Sequence, residues 1–325
     1  MGPDLSEIKI EGNDAEVDSF VACITAAVKY WGRDYDYDYF AGLAGSAFSP
    51  VWHEAETCGA WWTEFGNDKR IRFLGQAVGF YVRESPEMSV EEYDAKGELK
   101  PELARFWKQA GEALQEGKVV LTGSWPCWSI ITKWDEDISK LGLESVPGLG
   151  RVSCAPHPLA KTYVLTPGPA VMTRLKAIKE ALKFGADIAD GTFKALGFSY
   201  GGKLYDAILD RMTFEHFCGD CGGKSCNCVH RTMVRIAGVN RSAVRFLEFA
   251  GEFLGRQLPK PALDTVTRGY GKMAEIADSY SNRAVLCENW DRKDFKEEFA
   301  SKVRQLHVTH RDMSKIFRRL SQSIV

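Results

Sequence analysis

The sequence predicts an α+β fold in two parts. Residues 1–169 form an α+β half, and residues 170–325 form a mostly helical half. Three observations carry this. Helical apolar periodicity runs through 18–32, 67–78 and 101–115, ahead of three short β-branched or aromatic runs at 119–123, 128–134 and 162–166. Beyond Ala170 nearly every segment repeats its apolar residues at helical spacing. The length, 325 residues, is long for one domain and natural for two.

The first helix spans Asp18 to Gly32. Asp18 or Ser19 suits its start, because a short oxygen side chain accepts from the exposed amides there. Phe20, Ile24, Ala27, Val28 and Trp31 form an apolar stripe, and Gly32 suits the stop. Cys23 falls early in this helix, where the positive end of the dipole favours thiolate over thiol. The other reading of Cys23 is a small buried hydrophobe. The segment 33–40 alternates tyrosine and aspartate, and fits either a strand or a short helix at 36–42. Gly42 to Phe48 reads as a small-residue loop, serving as the rim of a pocket near Cys23 or as a tight turn. Pro50 to Phe65 is rich in aromatic residues without periodicity, with Trp52, His53, Cys58, Trp61 and Trp62. It reads as a loop that packs as a lid or pocket wall.

Asn67 to Val78 is the next helix, closed by Gly79, and 80–84 is a strand. Pro101 opens a helix to Gln115 with Leu103, Phe106, Trp107, Ala110 and Leu114 on one side. The three strand runs follow. In the second half, helices are expected at 171–188, 202–213, 231–254, 261–280 and 293–320, with loops at 199–202 and 259–261.

An early cysteine on a helix, a glycine-rich loop and then a sheet is the order of the papain-like cysteine hydrolases. More narrowly, Cys23-Ile-Thr-Ala-Ala-Val-Lys-Tyr-Trp-Gly32 followed by Phe40-Ala-Gly-Leu-Ala-Gly-Ser-Ala-Phe48 resembles the N-terminal-domain family of butirosin biosynthesis protein H. That family is similar in fold to the bacteriocin-processing peptidases of ABC exporters. The run Val119 to Asp135 resembles the family's sheet, and Tyr163-Val-Leu-Thr-Pro-Gly168 the strand after it. The resemblance covers about residues 15–170. It implies an antiparallel sheet, a thiol nucleophile, a histidine base, an orienting carboxylate or amide, and an oxyanion donor.

Cys23 matches the nucleophile position. Where the pattern has histidine before the central strand, this chain has Cys127, followed by Trp128. Where it has the orienting residue, this chain has Thr166-Pro167. The oxyanion glutamine is replaced by the neighbourhood of Glu16, Val17 and Asp18. His157 and His53 are the candidate bases, each in a loop. Cys127 facing Cys23 would instead make a redox pair or half a metal site. The expected pocket takes in Gly45, Ser46, Trp52, Trp62, Cys127 and Trp128. Its substrate would be a small molecule or an acyl group on a carrier.

The densest chemical cluster is His216-Phe-Cys218-Gly-Asp-Cys221-Gly-Gly-Lys-Ser-Cys226-Asn-Cys228-Val-His230, read as a Cys-rich loop. Soft thiolates on a glycine-rich loop suit zinc or an iron–sulfur cluster, with Cys218, Cys221, Cys226 and Cys228 as ligands. The spacing is tighter than a zinc ribbon, whose knuckles lie about a dozen residues or more apart. A disulfide-bonded loop and a reduced loop are the alternatives.

Other signals are quieter. Ser199 to Gly202 is followed by no Lys-Ser/Thr, so no nucleotide cofactor is expected. His307 and His310 read as exposed polar residues, and Arg318 and Arg319 as a solvated helix end. A net charge of −2 with 26% charged residues excludes a general nucleic-acid or membrane-surface binder. No apolar run approaches the roughly 20 residues of a membrane helix. The N-terminus lacks the pattern of a signal peptide, and nine cysteines without export signals fit reduced thiols in a cytoplasm.

Overall fold

The computed structural model describes residues 5–12, 18–48, 50, 52–53, 67–124, 127–137, 140–146, 157–193, 198–212 and 225–323. In chain order the elements are α1 (Ser19–Tyr30), α2 (Tyr37–Ala44), β1 (Trp52–His53), α3 (Asn67–Val78), β2 (Phe80–Glu84), α4 (Val90–Lys96) and α5 (Pro101–Gln115). They continue with β3 (Val119–Ser124), β4 (Cys127–Lys133), β5 (Gly142–Ser145), β6 (Thr162–Pro167), α6 (Arg174–Ala189) and β7 (Phe198–Ser199). The rest is α7 (Gly202–Arg211), α8 (Ser225–Leu254), α9 (Lys260–Asp278), α10 (Arg283–Asn289) and α11 (Lys293–Gln322). The fold is α+β with a helical C-terminal half. Among the described residues no helix is long and apolar enough to cross a membrane.

Two compact units result. The first comprises Met1–Asp14, Asp18–Tyr37 and Gly66–Thr173; the second comprises Ala15–Val17, Asp38–Phe65 and Arg174–Val325. All of α2 after Tyr37 therefore belongs to the second unit.

The first unit is built on an antiparallel sheet in the order β2-β6-β3-β4-β5. Strand alternation sorts its faces. Val82, Leu165, Tyr163, Leu121 and Ile130 share one face, while Arg83, Val164 and Val120 share the other. α1 packs on β4 over the first face, where Phe20 meets Trp128 edge-on at 4.9 Å between ring centroids. α5 covers the second face, and Arg83 lies over the ring of Phe106 at 5.5 Å. β4 is buried from Cys127 to Ile131, as expected of a strand covered on both sides.

α1 differs from an amphipathic helix. Every residue from Ser19 to Val28 is buried, so the helix is enclosed on all sides. Small side chains at Ala22, Thr25, Ala26 and Ala27 let neighbours close around it. Gly79 ends α3 at φ +93°, a conformation a side chain would strain. A Cβ there would lie 2.5 Å from the carbonyl oxygen of Gly168. Arg33 donates to the carbonyls of Val78, Gly79 and Gly168, stitching the end of α1 to that turn.

The second unit is organised on α8, whose residues 232–240 are buried without a break. α9 packs along α8, and α11 packs on α6, α7 and α9. Residues 37–44 form a helix, not a strand, and Gly42 lies inside it. A Cβ at Gly42 would sit 2.0 Å from the Phe246 ring, so the glycine serves close helix packing. The 3₁₀ turn Ser46–Phe48 follows, and Phe48 lies 4.8 Å from Phe317 and 6.0 Å from Phe246, centroid to centroid. At the start of α2, Asp38 accepts from the Ser242 hydroxyl at 2.6 Å and from Arg245 at 2.7 Å.

Several expectations are corrected here. α8 starts at Ser225, six residues before the expected Arg231, so Cys226 and Cys228 are helical and not on a loop. Arg318 is not a solvated helix end: it bridges Asp187 and Asp190 of α6. His310 is buried, not exposed; one ring nitrogen faces the Ala189 carbonyl at 2.7 Å and the other the Tyr205 hydroxyl at 3.5 Å. α4 was not expected because none of its residues is buried, although Ser89 and Glu92 form a capping box.

Candidate functional site

The start of α1 is where the sequence places nucleophilic chemistry. Asp18 is the N-cap, and its carboxylate accepts from the Phe20 amide at 3.0 Å. The other carboxylate oxygen accepts from Arg70 of α3 at 3.0 Å, and both side chains are 3% exposed. The Asp18 amide donates to the Tyr37 hydroxyl at 2.8 Å. Ser19, the first helical residue, accepts from the backbone N–H of Trp128 at 3.1 Å. Phe20, Trp128 and Tyr163 pack together, with Trp128 stacked on Tyr163 at 5.5 Å. The positive end of this helix is therefore met by its own cap, a buried ion pair and a packed aromatic cluster.

Cys23 is the fifth residue of α1 and is 0% exposed. The dipole acts mainly within the first turn, and Cys23 lies beyond it. Burial, and then the carboxylates of Asp18 and Glu144, push the Cys23 thiol well above its ordinary range. The expectation of a dipole-stabilised thiolate is thus corrected: Cys23 is a neutral, enclosed thiol. Position one turn deeper in the helix, together with neighbouring negative charge, reverses the sign of the shift.

The candidate base His157 is not among the groups that act on it. His157 is exposed in a turn, and its Nδ1 accepts from the Leu159 amide at 3.2 Å. His53 pairs with Phe198 between β1 and β7 of the second unit, and its side chain lies outside the described residues. Cys127 and Trp128 open β4 and are buried, but Cys127 is held in a disulfide whereas Cys23 is a free thiol. The two do not form the pair considered from the sequence. On the same strand face, Ser129 hydrogen-bonds Ser145 at 2.7 Å, and Thr122 bonds Thr162 at 3.1 Å.

The remaining expected pocket residues are Gly45, Ser46, Trp52 and Trp62. Gly45 and Ser46 are buried in the second unit; a Cβ on Gly45 would lie 2.6 Å from Ile188, so the pair does not form a pocket rim. Trp52 lies in β1 with its side chain outside the described residues, and Trp62 lies outside them altogether. In the Cys-rich segment, Cys218 and Cys221 are also outside them. Cys226 is bonded to Cys287 of α10, which withdraws it from the expected four-thiolate set. Cys228 is a buried thiol. Among the described residues no three His, Cys, Asp or Glu side chains gather as a metal site.

Sequence reasoning missed a groove of about 380 Å³ on the second face of the sheet. Val164 and Ala113 contribute its apolar surface, and Arg83, Lys118, Glu112 and Glu116 bring charges of both signs. Arg83 is steadied by Gln109, whose side-chain oxygen accepts from it at 2.7 Å. The signal was faint, since these residues come from β2, α5, the turn after α5 and β6, and share no motif. No known family model matches the chain, and no curated protein is significantly similar to it.

Proposed function

We propose that this chain is a papain-like-fold protein that binds or senses a small molecule and does not use Cys23 as a nucleophile. One observation carries the reading: Cys23 is fully enclosed, and burial with two nearby carboxylates holds its thiol neutral. A thiol nucleophile needs the thiolate form, access for substrate and a base within hydrogen-bond reach. The charges acting on Cys23 are carboxylates, which disfavour the thiolate. Binding is supported by the 380 Å³ groove, within the usual range of small-ligand sites. Arg83 and Glu112 beside a small apolar floor, with Lys118 and Glu116 paired to each other at its edge, suit a compact zwitterion, such as a free amino acid, more than an acyl chain.

The test has two arms on the whole chain. Alkylation by iodoacetamide from pH 6 to 9 is read by peptide mass spectrometry. Cys23 should stay unmodified in the native protein and react fully in denaturant. Fast native alkylation of Cys23 below neutral pH overturns the reading and restores the thiol enzyme. Thermal shift against the free amino acids tests the groove. A shift lost in Arg83→Met supports the ligand class, and no shift with any of them removes it.

A further inference from the structure

We propose that the Cys226–Cys287 bridge is a thiol-exchange site, at which Cys287 takes up a small anionic thiol of the glutathione type. The bridge joins the start of α8 to α10 across 61 residues of sequence. Its two sulfurs differ in surroundings. Cys226 is the second residue of a 30-residue helix and is 4% exposed, whereas Cys287 is half-buried on a short helix whose residues 283–285 are exposed. Attack is therefore open at Cys287. The leaving group is then Cys226, and a thiolate in the first turn of a long helix is stabilised by the amides and dipole there.

Two further contacts point the same way. Arg283 stands one helical turn before Cys287, on the same face of α10. Its Nε donates to the side-chain oxygen of Asn227 at 2.8 Å, which holds the guanidinium at the α8 end of the bridge. A fixed cation beside a disulfide favours the departing thiolate and draws in a thiol that carries carboxylates. The Asn227 oxygen lies 3.4 Å from the Cys287 sulfur, and that contact disfavours a negative charge on Cys287. Both effects favour Cys226 as the sulfur that leaves.

The step balances as an exchange. The incoming thiolate forms a bond to the Cys287 sulfur, the Cys226–Cys287 bond breaks, and its electron pair leaves on Cys226. A second equivalent of the thiol attacks the mixed disulfide, releasing Cys287 as thiolate and leaving the oxidised dimer of the small thiol. Two electrons pass from the small thiol to the protein bridge, and protons from solvent set the final state of the two cysteines. When the bridge opens, α10 is held to α8 by the Arg283–Asn227 contact and side-chain packing.

The experiment uses the full chain and reduced glutathione. After timed incubation and acid quench, peptide mass spectrometry locates the adducts. The expected result is one glutathione on Cys287, with the Cys226 peptide carrying a free thiol. Arg283→Gln should slow adduct formation by about twofold to fivefold at low salt, the size of a partly exposed charge effect, and the difference should fade at high salt. An uncharged thiol, 2-mercaptoethanol, should show less of this dependence. Adducts mainly on Cys226, no native adduct where the denatured chain reacts, or the same rate in Arg283→Gln each overturn the proposal. So does freshly purified protein in which both cysteines are already free thiols.

Discussion

Replacing Arg70 by Met should be among the most damaging single changes in the first unit. The substitution keeps a long side chain and removes the charge that faces Asp18. Both members of the pair are 3% exposed, so water cannot take over the lost role. Removing one partner of a buried pair costs about 3–5 kcal/mol, because the other charge stays buried alone. Asp18 retains the Phe20 amide at 3.0 Å, which places the expectation near the lower end. The double variant Asp18→Asn with Arg70→Met removes both charges and keeps a capping oxygen, so it should lose only about 1–2 kcal/mol. A double-mutant cycle would then give a coupling of about 2 kcal/mol or more. Because two units need not unfold together, the readout is hydrogen exchange at the α1 amides across a urea series, not a single melt. A loss below about 1 kcal/mol in Arg70→Met, or a double variant as unstable as the two singles summed, would refute the buried pair.

Three further outcomes follow from the same contacts. Gly42→Ala adds helix propensity, worth up to about 1 kcal/mol on an exposed helix, yet its Cβ would fall 2.0 Å from the Phe246 ring. The sign should reverse to a loss of about 1–3 kcal/mol, and a raised melting temperature would contradict the packing. Burial lowers the pKa of His310 from its ordinary 6.5, so the folded state holds it neutral. Tyr205 and His307 face it from α7 and α11. The stability this contributes is present above pH 6.5 and is lost as pH falls from there toward the folded value. His310→Gln should flatten that part of the urea-midpoint curve relative to the parent, and an unchanged slope counts against it. Finally, Cys226→Ala with Cys287→Ala opens a loop of 61 residues. Loop-closure entropy puts the loss at about 4 kcal/mol by the chain model, and equal denaturant midpoints with and without the bridge would contradict it.

The α+β class, α1, α3, α5 and the long C-terminal helices were legible because each is a local pattern. Periodicity, Asp18 as cap, Gly79 as stop and Pro101 as opener act within one or two turns of chain. The fate of the candidate site was not local. Whether Cys23 is a thiolate depends on Asp18 and Glu144 and on how completely α1 is enclosed, and Glu144 is 121 residues away in sequence. The pattern Gly42 to Phe48 looks the same as a pocket rim or as a close-packed helix end. Only Phe246 at Gly42 and Ile188 at Gly45 make it the second. Cys226 looks like a metal ligand beside Cys221 and Cys228, and becomes half of a bridge because α10 brings Cys287 to it. Sequence by itself determined most of the elements, though not α4, β5 or α10, since hydrogen bonding and capping are settled between near neighbours. Tertiary structure alone decided the chemistry of each thiol, since solvent access, charge and bonding partner come from residues distant in the chain.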